Sequence, residues 1–186
     1  MTAQELIKDA EHRMKHAVEV TAHDFQKIRS GRASAVMLED ILVDYYGAPT
    51  PIAQLGNVTV PEPRQLLIEP WEKNLLGAME KAIQKSDLGI NPSNDGVKIR
   101  LSFPQMSEDR RKEMVKQVHH RAEEGCVAIR NVRRDANEHL KKLQKNKEIS
   151  EDDLKGFEKK IQDFTDKFIA EIHVVQKKKE QELMEI

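Results

Sequence analysis

Arg130, Arg133 and Arg134 are followed by Asn137 and Lys141 within one stretch that proline never interrupts. At about 100° per residue, Arg130, Arg134, Asn137 and Lys141 share one helical stripe. Arg133 falls between that stripe and an apolar one made of Ile129, Val132, Ala136, Leu140 and Leu143. A guanidinium is a planar fork of donors that matches phosphate oxygens bidentately. Several of them on a rigid rod, with an amide alongside and no aromatic stacking platforms, suit the phosphates and shape of folded RNA better than the bases of a single strand. A structural reading stands beside this one. Residues 107–147 carry a net charge of +5 and residues 148–186 a net of −4. Two packed helices could simply complement each other.

Other residue types give weaker chemistry. His12 and His16 have the i, i+4 spacing of a zinc pair, but Arg13 stands where H-E-x-x-H needs its glutamate, so they read as solvated histidines. His119 and His120 are adjacent, about 100° apart on a helix, and do not chelate together in a simple way. The chain contains neither G-x-x-x-x-G-K-[ST] nor G-x-G-x-x-G, and no serine stands in a nucleophile elbow. The single cysteine, Cys126, excludes an internal disulfide and fits a reducing cytoplasm; it reads as a small residue on a helix face. The expectation is a non-enzyme with no catalytic residues, no metal and no cofactor.

The elements that must position the arginines follow from punctuation. All seven prolines lie between positions 49 and 104, and outside 31–96 the only glycines are Gly125 and Gly156. Proline breaks helix interiors, so residues 1–30 and 105–186 read as one discontinuous helical domain and 31–104 as an inserted domain. The two crossings form a hinge near 30–31 and 103–105, at Ser30, Gly31, Pro104 and Gln105. In the first flank Ile7, Ala10, Met14, Ala17, Thr21, Phe25 and Ile28 make an apolar seam. In the last, Leu154, Phe157, Ile161, Phe164, Phe168, Ile172 and Val175 repeat the same spacing. Between them a helix over about 107–146, capped by Ser107, would reach roughly 60 Å, and Ser150 caps the helix that follows.

The insert reads as strands over 41–46, 58–60 and 64–69, a helix over 72–85 stopped by Gly89, and a last strand over 97–103 after an Asp95-Gly96 turn. The fold class is therefore α+β: an elongated three-helix bundle carrying a small β/α/β domain. With 34% charged and 4% aromatic residues, the 186-residue chain is too polar for a membrane span and too poor in aromatics for a typical β-sandwich or barrel core.

Several segments together resemble the bacterial ribosome recycling factor family. They are Ile28-Arg-Ser-Gly-Arg-Ala-Ser34, Tyr45-Tyr-Gly-Ala-Pro-Thr-Pro51, Ser86-Asp-Leu-Gly-Ile-Asn-Pro92, Val127-Ala-Ile-Arg-Asn-Val-Arg-Arg-Asp-Ala-Asn137 and Glu148-Ile-Ser-Glu-Asp-Asp153. They keep the family's order and spacing over nearly the whole chain. The resemblance implies an L-shaped, two-domain monomer. It would bind the post-termination ribosome at large-subunit rRNA and, with the GTPase elongation factor G, separate the subunits and release them from mRNA, with no membrane partner. It assigns rRNA contacts to Arg130 and Arg133, and more weakly to Arg29 and Arg110; Arg134 and Asn137 join them from the stripe. The alternative is a helical structured-RNA-binding or scaffold protein without splitting activity. Two departures stand out: Pro104-Gln105 where the family often has Pro-Pro, and Gly125-Cys126 just before the arginine run. A mid-helix glycine costs about 1 kcal/mol relative to alanine, which predicts local softening there.

Overall fold

The proline-free flanks form three long helices. The computed structural model describes residues 2–28 and 30–185. Helix α1 spans Ala3–Lys27 and opens with a capping box in which the Thr2 hydroxyl accepts from the Glu5 N–H and the Glu5 carboxylate accepts from the Thr2 N–H. Helices α4 (Glu108–Lys145) and α5 (Glu151–Met184) are counted after two short helices of the insert. The Ser107 hydroxyl accepts from the Arg110 N–H at the start of α4. Ser150 and Asp153 form the second capping box, at the start of α5. These hydrogen bonds hold the Glu5 and Asp153 carboxyls below their ordinary pKa, because each stabilises the ionised form.

The helices bury the stripes that the spacing picks out. Ile7, Ala10, Met14 and Phe25 of α1 meet Met114, Val118, Ile129 and Leu140 of α4 and Ile161, Phe168 and Ile172 of α5 in one core. Arg13 of α1 reaches Asp135 of α4 at 3.0 Å while Thr21 lies against Gly125, and His119 of α4 reaches Glu180 of α5 at 3.1 Å while Arg133 reaches Gln162, so α4 runs antiparallel to both. Two buried polar residues of α5 fall outside the apolar seam. The Thr165 hydroxyl donates to the Ile161 carbonyl at 2.8 Å, and Lys179 is paired with Glu182 at 3.6 Å.

By compactness the described residues divide into two units, 2–28 with 112–185, and 30–111. The second unit holds two sheets. Strands β1 (Leu42–Tyr45) and β2 (Ala48–Pro51) pair as an antiparallel ribbon. After the single-turn α2 (Ile52–Leu55), β3 (Gly56–Glu62), β4 (Gln65–Pro70), β5 (Ser93–Asn94) and β6 (Ile99–Ser102) form an antiparallel sheet in the order β3-β4-β6-β5. Alternate residues Leu66 and Ile68 of β4 and Ile99 and Leu101 of β6 are fully buried, together with Met79 and Ile83 of helix α3 (Leu76–Lys85).

The insert corrects several sequence expectations. β2 contains Pro49 and Pro51, which its two-stranded ribbon tolerates because proline's missing donor is harmless at a free strand edge. Pro61 lies inside β3 where the register with β4 shifts between Thr59 and Glu62. A 3-10 turn over Lys73–Leu75 precedes α3, which therefore starts at Leu76 and not at Glu72. Its stop is Ser86 and not Gly89: the Ser86 N–H and hydroxyl both bond to the Ile83 carbonyl, closing the last turn early. The Asp95-Gly96 turn forms as expected, the Asp95 carboxylate accepting from the Val97 and Lys98 N–H groups.

Cys126 lies in the bundle core at 1% exposure. Burial pushes its thiol pKa up, and the neighbouring Glu123 charge pushes the same way. The thiolate is the reactive form, so native Cys126 should label with a disulfide reagent at mildly alkaline pH about two orders of magnitude more slowly than in denaturant. Comparable rates in the two conditions would mean an open core.

Candidate nucleic-acid interface

One half of α4 is packing and the other half is charge. Ile129, Val132, Ala136 and Leu140 are buried, and one residue past each of the first two stand Arg130 and Arg133, both half-buried. Arg134 is exposed and Asn137 half-buried. The helix holds these four residues on one rigid surface within about two turns.

Their partners differ. The Arg130 guanidinium reaches back along α4 to the Glu123 carboxylate at 2.7 Å, which raises the arginine's pKa further. Arg133 donates across to Gln162 of α5 at 3.1 Å, and the Gln162 amide donates in turn to Asp166 at 2.8 Å. Arg134 makes a long contact of 3.5 Å to Asn131. Lys141 pairs with Glu158 of α5 at 3.8 Å. The Asn137 side-chain oxygen is buried and has no hydrogen-bond partner among the described residues. Complementary charge between α4 and α5 thus accounts for Lys141, whereas Arg130 uses its own helix and Arg133 uses a neutral amide.

Arg110 is exposed in the first turn of α4, well before the cluster on the same helix. Arg29 lies outside the described residues. At the expected hinge positions, which lie just inside the second unit, Ser30 is 2% exposed, its hydroxyl accepts from the Arg32 N–H at 3.4 Å, and Gly31 has φ +78°. That conformation favours glycine, since a Cβ would crowd the backbone there. Pro104 and Gln105 are exposed and outside any regular element.

Sequence reasoning missed Glu123, Gln162 and Asp166. Glu123 was within reach of spacing alone, because seven residues make about two turns and return to the same face. Gln162 follows the seam residue Ile161 as Arg133 follows Val132, so antiparallel packing brings the two flanking positions together. Seeing that requires the helix register.

A third feature concerns Gly125. A Cβ built there would lie 2.3 Å from the Thr21 hydroxyl oxygen of α1 and 3.0 Å from Ile172 Cδ1 of α5. The glycine marks a close approach of three helices. The expected local softening is corrected accordingly: the position is packed.

Residues 21–184 match the family model described as ribosome recycling factor. The chain belongs to the ribosome recycling factor family. It is 53% identical over 183 residues to a ribosome-recycling factor of Bacillus cytotoxicus, covering 98% of this chain and 99% of that one. It is 52% identical, with the same coverage, to the one of Bacillus thuringiensis strain Al Hakam. A solution structure of the ribosome recycling factor superposes with a TM-score of 0.79 at 40% identity, covering 100% of this chain and 99% of the other. Models for the T. thermophilus ribosome recycling factor and the E. coli elongation factor G bound to the E. coli post-termination complex include a chain that superposes with a TM-score of 0.69 at 46% identity, covering 98% of this chain and 99% of that one. The likeness therefore spans both units of the α+β fold and the whole arginine cluster. Among the described residues no helix is long and apolar enough to cross a membrane, and no group of three or more His, Cys, Asp or Glu could hold a metal.

Proposed function

We propose that the chain recycles ribosomes in the bacterial cytoplasm. It binds the post-termination ribosome at large-subunit rRNA and, with the GTPase elongation factor G, separates the subunits and frees them from mRNA. Near-complete sequence coverage at 53% identity carries the reading, and a family relative bound to a post-termination complex supports it. Arg130, Arg133 and Arg134 contact phosphates from α4, with Asn137 beside them. Arg29 and Arg110 add contacts near the chain crossings. The chain itself turns over no substrate; nucleotide hydrolysis belongs to elongation factor G.

Light scattering of post-termination ribosomes tests this directly. The signal should fall only when this chain, elongation factor G and GTP are all present, and the chain alone should hydrolyse no GTP. Binding to ribosomes without any fall in scattering would favour the alternative, a structured-RNA-binding scaffold.

The hinge belongs to the same proposal. Among the described residues the chain passes between the two compact units between 28 and 30 and again at 111–112, inside α4. Both places are a few residues from the expected hinge at Ser30-Gly31 and Pro104-Gln105, so rotation of the inserted unit as a body would rearrange only two short stretches of chain. A disulfide engineered between the units should leave ribosome binding intact and impair splitting. Full splitting by a verified cross-linked protein would remove rotation from the mechanism.

A further inference from the structure

The two central arginines of α4 are not equally available. Arg133 meets no carboxylate directly: its acceptor, the Gln162 amide, carries no charge, and Asp166 fixes that amide with its oxygen toward the guanidinium. Arg130 is folded down. Its partner stands seven residues earlier, about 10 Å along the helix axis, so the side chain must lie lengthwise on α4 to make its 2.7 Å contact. In that pose one guanidinium nitrogen is already taken by a carboxylate, whose like charge repels an approaching phosphate. Both side chains of the pair are open to solvent, 38% for Arg130 and 62% for Glu123, so the contact is exchangeable and not locked in a core. The adjacent Glu124 is taken up differently, by Arg121 at 2.9 Å and His120 at 3.4 Å.

We infer that Glu123 occupies Arg130 in the free protein as an internal substitute for an RNA phosphate, and so sets the ribosome affinity of the chain below what its arginines could reach. The inference rests on the proposed rRNA contact of Arg130 and adds to it the residue that tunes the contact. The apparent affinity is lowered by the fraction of molecules whose Arg130 is free. A factor that must leave the ribosome after each round gains from such a limit, because the carboxylate is always at hand to reclaim the arginine.

The test is a titration of intact ribosomes with fluorescently labelled full-length chain, comparing wild type, Glu123→Gln, Arg130→Ala and the double variant. Glutamine keeps the size and helix preference of glutamate, and circular dichroism with thermal melting confirms the fold. Glu123→Gln should bind about two- to fivefold more tightly, the range that an exposed pair can withhold. In the Arg130→Ala background that gain should shrink or disappear. No gain from Glu123→Gln overturns the inference, as does an equal gain without Arg130, which would report only the removal of a negative charge. If Arg130→Ala itself binds as well as wild type, the rRNA contact at Arg130 fails and the inference fails with it. A weakened Arg130→Ala beside a neutral Glu123→Gln sinks the inference alone.

Discussion

Arg133→Glu should weaken binding to intact ribosomes by about 10- to 100-fold, the largest functional effect expected from any single change in the chain. A charge-assisted hydrogen bond is worth about 1.5–3 kcal/mol, and reversing the charge adds repulsion where attraction stood. Each phosphate contact also releases a counterion, so the dependence of log affinity on log salt should flatten by about one unit. The fold should survive. Arg133 is bonded to the neutral Gln162 amide at a half-exposed position, so no buried carboxylate is left without its partner. If the arginine served only the packing of α4 on α5, the same change would lower the melting temperature and leave ribosome affinity and salt slope untouched. Circular dichroism and a salt series on ribosomes separate the two outcomes. The variant is more informative than Arg130→Glu, because Arg130 begins engaged by Glu123.

The helical half of the fold was legible because its signals are local and repeated. The 3, 4 spacing of apolar residues marks the buried stripes of α1, α4 and α5, and Ser150 followed by Asp153 marks a helix start whose capping box forms in full. The insert was legible in order but less so in detail. β2 carries two prolines and only four residues, so nothing in its composition separates it from a loop. Its pairing with β1 is a tertiary fact: Val43 faces Thr50 and Tyr45 faces Ala48. The two-residue β5 exists only because β6 lies beside it.

The arginine cluster was visible as a stripe, while the groups that govern each arginine were not. Angular spacing puts Arg130 and Arg134 on one face, yet it says nothing of whether a guanidinium points outward or lies along the helix. The structure resolves this through Glu123 and Gln162, one on the same helix and the other on its neighbour. Gly125 shows the opposite failure. Propensity alone makes it a weak point, since glycine in a helix costs about 1 kcal/mol against alanine. Propensity carries no information about what faces the missing Cβ.

That contrast yields the second large prediction, on stability. If propensity governed, Gly125→Ala would raise the melting temperature. The geometry demands a fall. The new methyl would sit 2.3 Å from the Thr21 hydroxyl oxygen and 3.2 Å from Thr21 Cγ2. Threonine is short and branched, so it cannot swing a distant end aside. Rotating it would also break the 2.8 Å bond from its hydroxyl to the Ala17 carbonyl. The Ile172 Cδ1 atom at 3.0 Å is the tip of a longer chain and yields more cheaply. Overpacking of this kind costs about 1–3 kcal/mol, which exceeds the gain in propensity, and in a unit of roughly 100 residues each kcal/mol moves the midpoint by about 4–8 °C. Removing the obstacle should reverse the sign. Thr21→Ala alone should destabilise modestly by losing its hydroxyl bond, but Thr21→Ala with Gly125→Ala should be more stable than Gly125→Ala by itself, with a coupling of about 0.5–3 kcal/mol between the sites. Thermal melts of the four proteins decide it: additive effects, or a Gly125→Ala single variant that melts higher than wild type, would show that α1 and α5 do not close on α4 at this glycine.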